Sequence, residues 1–180
     1  SHGFVSSVNS MIHTNKKLGI PYAVTARWLS ETKNPDKDFQ KLKSMQRGFG
    51  LNFNIINTQG SAWNIEYTSM GATLVKPALP YIHTNHYLSE LKSSEMNNNA
   101  SGTIERYQVA CSKAKIHMTV QELQNLTNDN SKGEIKGIMN QRTIAKMIID
   151  TKNPAAYVWM RRENNAGWIK YELNTLVGWR

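Results

Sequence analysis

The stretch Tyr81-Ile82-His83-Thr84-Asn85-His86-Tyr87-Leu88-Ser89 decides how the rest of the chain is read. It follows Pro77 and Pro80 and precedes an Asn-rich segment. Its residues are aromatic, β-branched and alternating, which predicts a short strand. Strand side chains point alternately to opposite faces. His83, Asn85 and Tyr87 then share one face, and Thr84 and His86 the other. Asn85, between large residues at a strand end, has two readings. It is either a buried amide bonded to backbone or a fixed N–H donor able to stabilise an oxyanion. A metal site on His83 and His86 is excluded in a strand, because their spacing sends the rings to opposite faces.

Outward from this stretch the chain alternates strands and helices. Gly71 to Lys76 predicts a strand. Leu51 to Asn57 and Ala62 to Ser69 predict a hairpin around Thr58-Gln59-Gly60-Ser61, with Trp63, Ile65 and Tyr67 at period two. Glu66, between them, is either a solvent-facing carboxylate or a fixed charge near a site. Arg47-Gly48-Phe49-Gly50 is a turn. Pro21 opens a helix running to about Thr32, and Asn34-Pro35-Asp36 restarts one running to about Gln46. Phe4 to Ile12 reads as a strand, entered through Gly3. Toward the C-terminus, Leu91 to Gly102 is loop-like. Ser101 or Thr103 caps a helix carrying Ile104, Tyr107 and Val109, and Thr119 caps another with Glu122 in the capping-box position. Thr143 to Asp150, Ala156 to Arg161 and Trp168 to Leu173 form a terminal three-strand meander.

Composition narrows the function classes. The chain of 180 residues carries a net charge of +9, yet its Lys and Arg are scattered. No compact basic block with stacking aromatics, and no helix-turn-helix, RNP or zinc-finger spacing, points to nucleic acid. No apolar run approaches the ~20 residues that span a bilayer. Cys111 is the one cysteine, so no disulfide framework is built within the chain. It follows Val109 and Ala110 in a helix and reads as a small buried or half-buried thiol. It has no helix N-terminus or neighbouring His to activate it.

The segment His83-Thr84-Asn85-His86-Tyr87-Leu88 resembles the HTNH segment of the isopenicillin N acyltransferase-like family. These are autoproteolytic N-terminal-nucleophile (Ntn) acyltransferases and hydrolases related to penicillin V acylase and bile-salt hydrolase. Ser1-His2-Gly3-Phe4-Val5, followed by Asn9-Ser10-Met11, is similar to the family's turn, strand and strand-end Asn. The helix pair, the hairpin with Asn57, Gly60 and Glu66, and the terminal meander extend the resemblance. It implies an α+β fold: an Ntn-hydrolase-like αββα sandwich of antiparallel sheets flanked by helices, here incomplete at the N-terminus. Residues 1–180 would be one domain, the C-terminal portion of an Ntn catalytic domain.

The same resemblance implies that Asn85 is an oxyanion donor and Asn9 a pocket residue of the catalytic site. Arg142 matches a substrate-contacting position, and equally reads as an exposed loop Arg. The implied enzyme is a linear amide hydrolase or acyltransferase with no cofactor and no metal, acting on a small-molecule amide or thioester. Its nucleophile is an N-terminal Cys whose own α-amino group serves as base. Ser1 aligns with the motif's turn, which argues against it as nucleophile. The expected partner is therefore a missing N-terminal segment or subunit carrying the nucleophile. A homo-oligomer stays open, and no nucleic acid or membrane span is expected. The alternative is a non-catalytic binding module of the same fold.

Overall fold

The computed structural model describes residues 3–96 and 102–175. The chain divides into two compact units, Ser1–Asn98 and Asn99–Arg180. Ser1, His2 and the Asn97 to Ser101 part of the expected loop lie outside the described residues.

The first unit is built on an antiparallel four-stranded sheet in the order β1-β2-β3-β4. Its strands are β1 (Phe4–Met11), β2 (Gly50–Asn57), β3 (Ala62–Tyr67) and β4 (Ala72–Val75). Gly3 enters β1 at φ +79°, the left-handed region that glycine takes without cost. Two helices join β1 to β2: α1 (Tyr22–Ser30) and α2 (Pro35–Ser44). Asn34 caps α2 by accepting from the Lys37 N–H, and Pro35 sits where a missing N–H costs nothing. Asp36 and Asp38 in the first turn, with Lys41 and Lys43 in the last, complement the helix dipole.

Alternation gives this sheet two unlike faces. Register pairs Leu51 with Tyr67, Phe53 with Ile65 and Ile55 with Trp63. Their face packs with Leu29, Phe39 and Leu42 from the helices into one buried core. The residues between them, Asn52, Asn54, Asn64 and Glu66, fall on the opposite face. Arg47, 4% exposed, donates to the carbonyls of Leu42, Met45 and Thr68. It thereby satisfies the end of α2 while tying that end to the turn that leaves β3.

Tyr81 to Leu88 is not a strand. The segment lies across the polar face instead of along a sheet edge. Its donors go to groups on the face: Leu88 and Ser89 N–H to Glu66, the Tyr87 hydroxyl to the Tyr67 carbonyl, and the Asn85 amide to the Ser10 carbonyl. Buried backbone is satisfied by side chains here, so no ladder forms. The two-faced division of His83, Asn85 and Tyr87 from Thr84 and His86 falls with the strand. A short 3₁₀ turn, Glu90–Ser94, follows.

The second unit carries an antiparallel three-stranded sheet in the order β5-β6-β7. Its strands are β5 (Ala145–Asp150), β6 (Ala155–Met160) and β7 (Ile169–Glu172). Its helices are α3 (Thr103–Lys113), α4 (Val120–Thr127) and the single turn α5 (Gly133–Lys136). Thr119 and Glu122 form the expected reciprocal capping box on α4. Gly102 is the N-cap of α3, so Thr103 is its first residue rather than its cap. Cys111 is exposed, contrary to the expected buried thiol. Lys146 extends over the rings of Trp159 and Trp168, 4.1 and 5.1 Å from their centroids.

Two antiparallel sheets with helices outside them in sequence make the chain α+β, as expected. Among the described residues, no helix is long and apolar enough to cross a membrane.

Candidate active site on the polar face of the first sheet

Antiparallel register sets Asn9, Asn52 and Glu66 side by side on β1, β2 and β3. The next row on the same face is Ser7, Asn54 and Asn64. Asn52, Asn64 and Glu66 are each 3% exposed or less. Buried amides persist only when bonded, and these bond to each other. Asn64 Nδ2 donates to Asn54 Oδ1 at 2.8 Å, and Asn54 Nδ2 donates to Asn52 Oδ1 at 3.0 Å. Asn9 Nδ2 reaches the same Asn52 oxygen at 3.1 Å, and Asn52 Nδ2 donates to the Ile65 carbonyl at 3.4 Å.

Glu66 ends the row. Its Oε1 accepts from His83 Nε2 and the Leu88 N–H, both at 2.7 Å, and its Oε2 from the Ser89 N–H at 3.0 Å. Burial pushes its pKa up, but the hydrogen bonds from His83, Ser89 and Leu88 win and hold it below its ordinary value. Of the two readings of Glu66, the solvent-facing one is overturned: it is 1% exposed and ionised. His83 is likewise buried, and its Nδ1 lies 3.2 Å from Asn9 Nδ2 and 2.6 Å from the Thr84 carbonyl. Asn85 Nδ2 donates to the Ser10 carbonyl at 3.1 Å, beside Asn9 in sequence. The amides of Asn9 and Asn85 thus lie at the same end of β1. Fixed amide dipoles of this kind can hold a developing negative charge.

Arg142 belongs to the second unit. Its side chain is exposed, and its N–H donates to Asn140 Oδ1 at 2.9 Å. Asn52, Asn54, Asn64 and His83 were not singled out from sequence as site residues. Their signal was present for the strands: they are the polar half of an alternation whose apolar half forms the core.

Close approach locks the covering segment onto the sheet. A Cβ at Gly50 would lie 2.8 Å from His13 Cδ2 and closer still to the Tyr87 hydroxyl. We expect Gly50→Ala to lose about 1–3 kcal/mol through overpacking, read by thermal unfolding. A loss under about 0.5 kcal/mol would mean that Tyr87 can withdraw freely.

His13 packs beside it, 1% exposed, with neither ring nitrogen hydrogen-bonded among the described residues. Burial, then the charge of Lys16, lower its pKa below the ordinary 6.5. Below that value the unfolded chain binds the proton more readily than the folded one. Stability is therefore complete above 6.5 and declines as pH falls through and below it. The expected result is that His13→Leu loses less unfolding free energy than the wild type between neutral and mildly acid pH, measured in urea. Parallel curves would sink this.

A protein family described as "Acyl-coenzyme A:6-aminopenicillanic acid acyl-transferase" matches residues 1–165. No curated protein matches the chain.

Proposed function

The chain belongs to the acyl-coenzyme A:6-aminopenicillanic acid acyl-transferase family, and from that premise we propose that it is the substrate-holding part of an Ntn-type amide hydrolase or acyltransferase. The observation that carries this reading is the placement of the Asn9 and Asn85 amides at the same end of β1, backed by the buried Glu66–His83 pair. A small-molecule amide or thioester would lie on this face with its carbonyl oxygen toward Asn85.

The nucleophile in this reading is a cysteine at the N-terminus of a segment or subunit that joins this chain after autoproteolysis. Its α-amino group takes the thiol proton, and the sulfur attacks the carbonyl carbon. Negative charge moves onto the carbonyl oxygen, where the Asn85 N–H meets it. Collapse expels the amine or thiol with the proton and leaves an acyl-enzyme. Water or an acceptor amine then takes the acyl group.

Intact mass and N-terminal sequencing of the natural protein test this, followed by an amide-cleavage assay. A Cys-led segment copurifying with activity is the expected result. Absence of such a segment from the gene, with no activity, would overturn the catalytic reading in favour of a binding module.

A further inference from the structure

We propose, resting on the reading of this face as an acyl-transfer site, that His83 is a positioning residue: by gaining or losing one proton at Nδ1, it decides whether the Asn9 amide is tied down or released to donate to a ligand oxygen. The ring is fully buried, and its Nε2 faces Glu66 Oε1 at 2.7 Å. An ionised carboxylate only accepts, so Nε2 carries its proton in both states. The other nitrogen has two neighbours with opposite demands. The Thr84 carbonyl, at 2.6 Å, can only accept and requires a proton on Nδ1. Asn9 Nδ2, at 3.2 Å, can only donate and requires a bare lone pair there. One nitrogen cannot satisfy both at once.

Asn9 cannot resolve the conflict by turning over. Asn52 Nδ2 donates to the Ile65 backbone carbonyl, which fixes Asn52 Oδ1 toward both Asn9 and Asn54. A flipped Asn9 would set its oxygen against that oxygen. A backbone carbonyl, acting through Asn52, therefore holds the Asn9 nitrogen against His83.

Two states follow. With Nδ1 bare, both Asn9 N–H groups are occupied, one by Asn52 and one by His83, and the amide offers a ligand only its oxygen. When Nδ1 takes a proton from solvent water, that proton is donated to the Thr84 carbonyl. Asn9 then loses one acceptor, and one N–H is released to a ligand oxygen. Among the described residues, the charged or titratable groups facing the ring are Glu66 from β3, Glu95 from the end of the covering segment, and Tyr81, whose ring centroid is 6.3 Å away.

The test is NMR of the uniformly ¹⁵N-labelled protein across pH, following the His83 ring nitrogens and the Asn9 side-chain NH₂. Nε2 should stay protonated while Nδ1 gains its proton as pH falls, and the Asn9 signals should move with the same midpoint. Asn52→Leu should uncouple the two. An Asn9 amide that ignores the His83 titration, or an Nδ1 that keeps one state throughout, overturns the proposal. In the kinetic arm, kcat for amide cleavage should fall on the order of 10²-fold as pH rises through that midpoint, and this step should vanish in Asn9→Ala. A protein that cleaves no amide would sink the functional reading, while the NMR result would still decide the coupling.

Discussion

Glu66→Ala should cost the fold about 3–5 kcal/mol, the scale of removing one partner from a buried pair. Its carboxylate is the shared acceptor of three donors: His83 Nε2–H, Leu88 N–H and Ser89 N–H. Each donor left without a partner costs about 1–3 kcal/mol, reduced where water enters. Glu66→Gln keeps the volume but places an NH₂ group against one of the two backbone N–H groups. It should lose less, about 1–3 kcal/mol. The order wild type, Gln, Ala in urea midpoints is the measurement. The effect depends on pH with a definite sign. Because the folded-state pKa is depressed, the stabilisation is present above the ordinary 4.5 and is lost as pH falls through the folded value. The wild type and Glu66→Gln should therefore converge in acid. A Glu66→Ala loss below about 1 kcal/mol would mean that the covering segment is held by Tyr87 and Asn85 instead.

The same carboxylate shows where sequence reading stops. Strands β2 and β3 were legible because Leu51, Phe53 and Ile55, with Trp63, Ile65 and Tyr67, alternate at period two. Helices α2 and α4 were legible because Asn34-Pro35 and the Thr119–Glu122 pair are local start signals. Tyr81 to Leu88 has strand-like composition yet forms no strand. Pattern records which side chains alternate, whereas a ladder needs a backbone partner, and Leu88 and Ser89 find the Glu66 side chain instead. That partner is distant in sequence, so no local signal announces it. Cys111 is exposed rather than buried or half-buried because of its phase on the helix. Val109 is buried, and two residues further on lie about 200° around the helix, on the opposite side. In the site, Asn9 and Asn85 were named through resemblance and lie at one end of β1. Asn52, Asn54 and Asn64 were written into the strand alternation. Which of them would bond to which depended on cross-strand register, which periodicity does not fix.

Asn85→Ala should lower kcat for amide cleavage by about 10²–10³-fold, the range for loss of one oxyanion donor. The proposed role predicts a particular division of effects. The donor matters only once charge has moved onto the carbonyl oxygen, so KM should change little while kcat falls. Stability should fall by only about 0.5–1.5 kcal/mol, the scale of one net hydrogen bond, because the side chain donates to the Ser10 carbonyl and is half-buried. A purely structural Asn85 would give the reverse: a larger loss of stability and a rate loss that disappears when only folded protein is counted. Asn85→Asp separates the two further. It is close to the same size, but its carboxylate repels both the Ser10 carbonyl and a developing oxyanion. Its activity should therefore be no better than that of Asn85→Ala, although it retains a polar side chain. Recovery of wild-type kcat in Asn85→Asp would remove Asn85 from the oxyanion site and leave Asn9, under the control of His83, as the donor on this face.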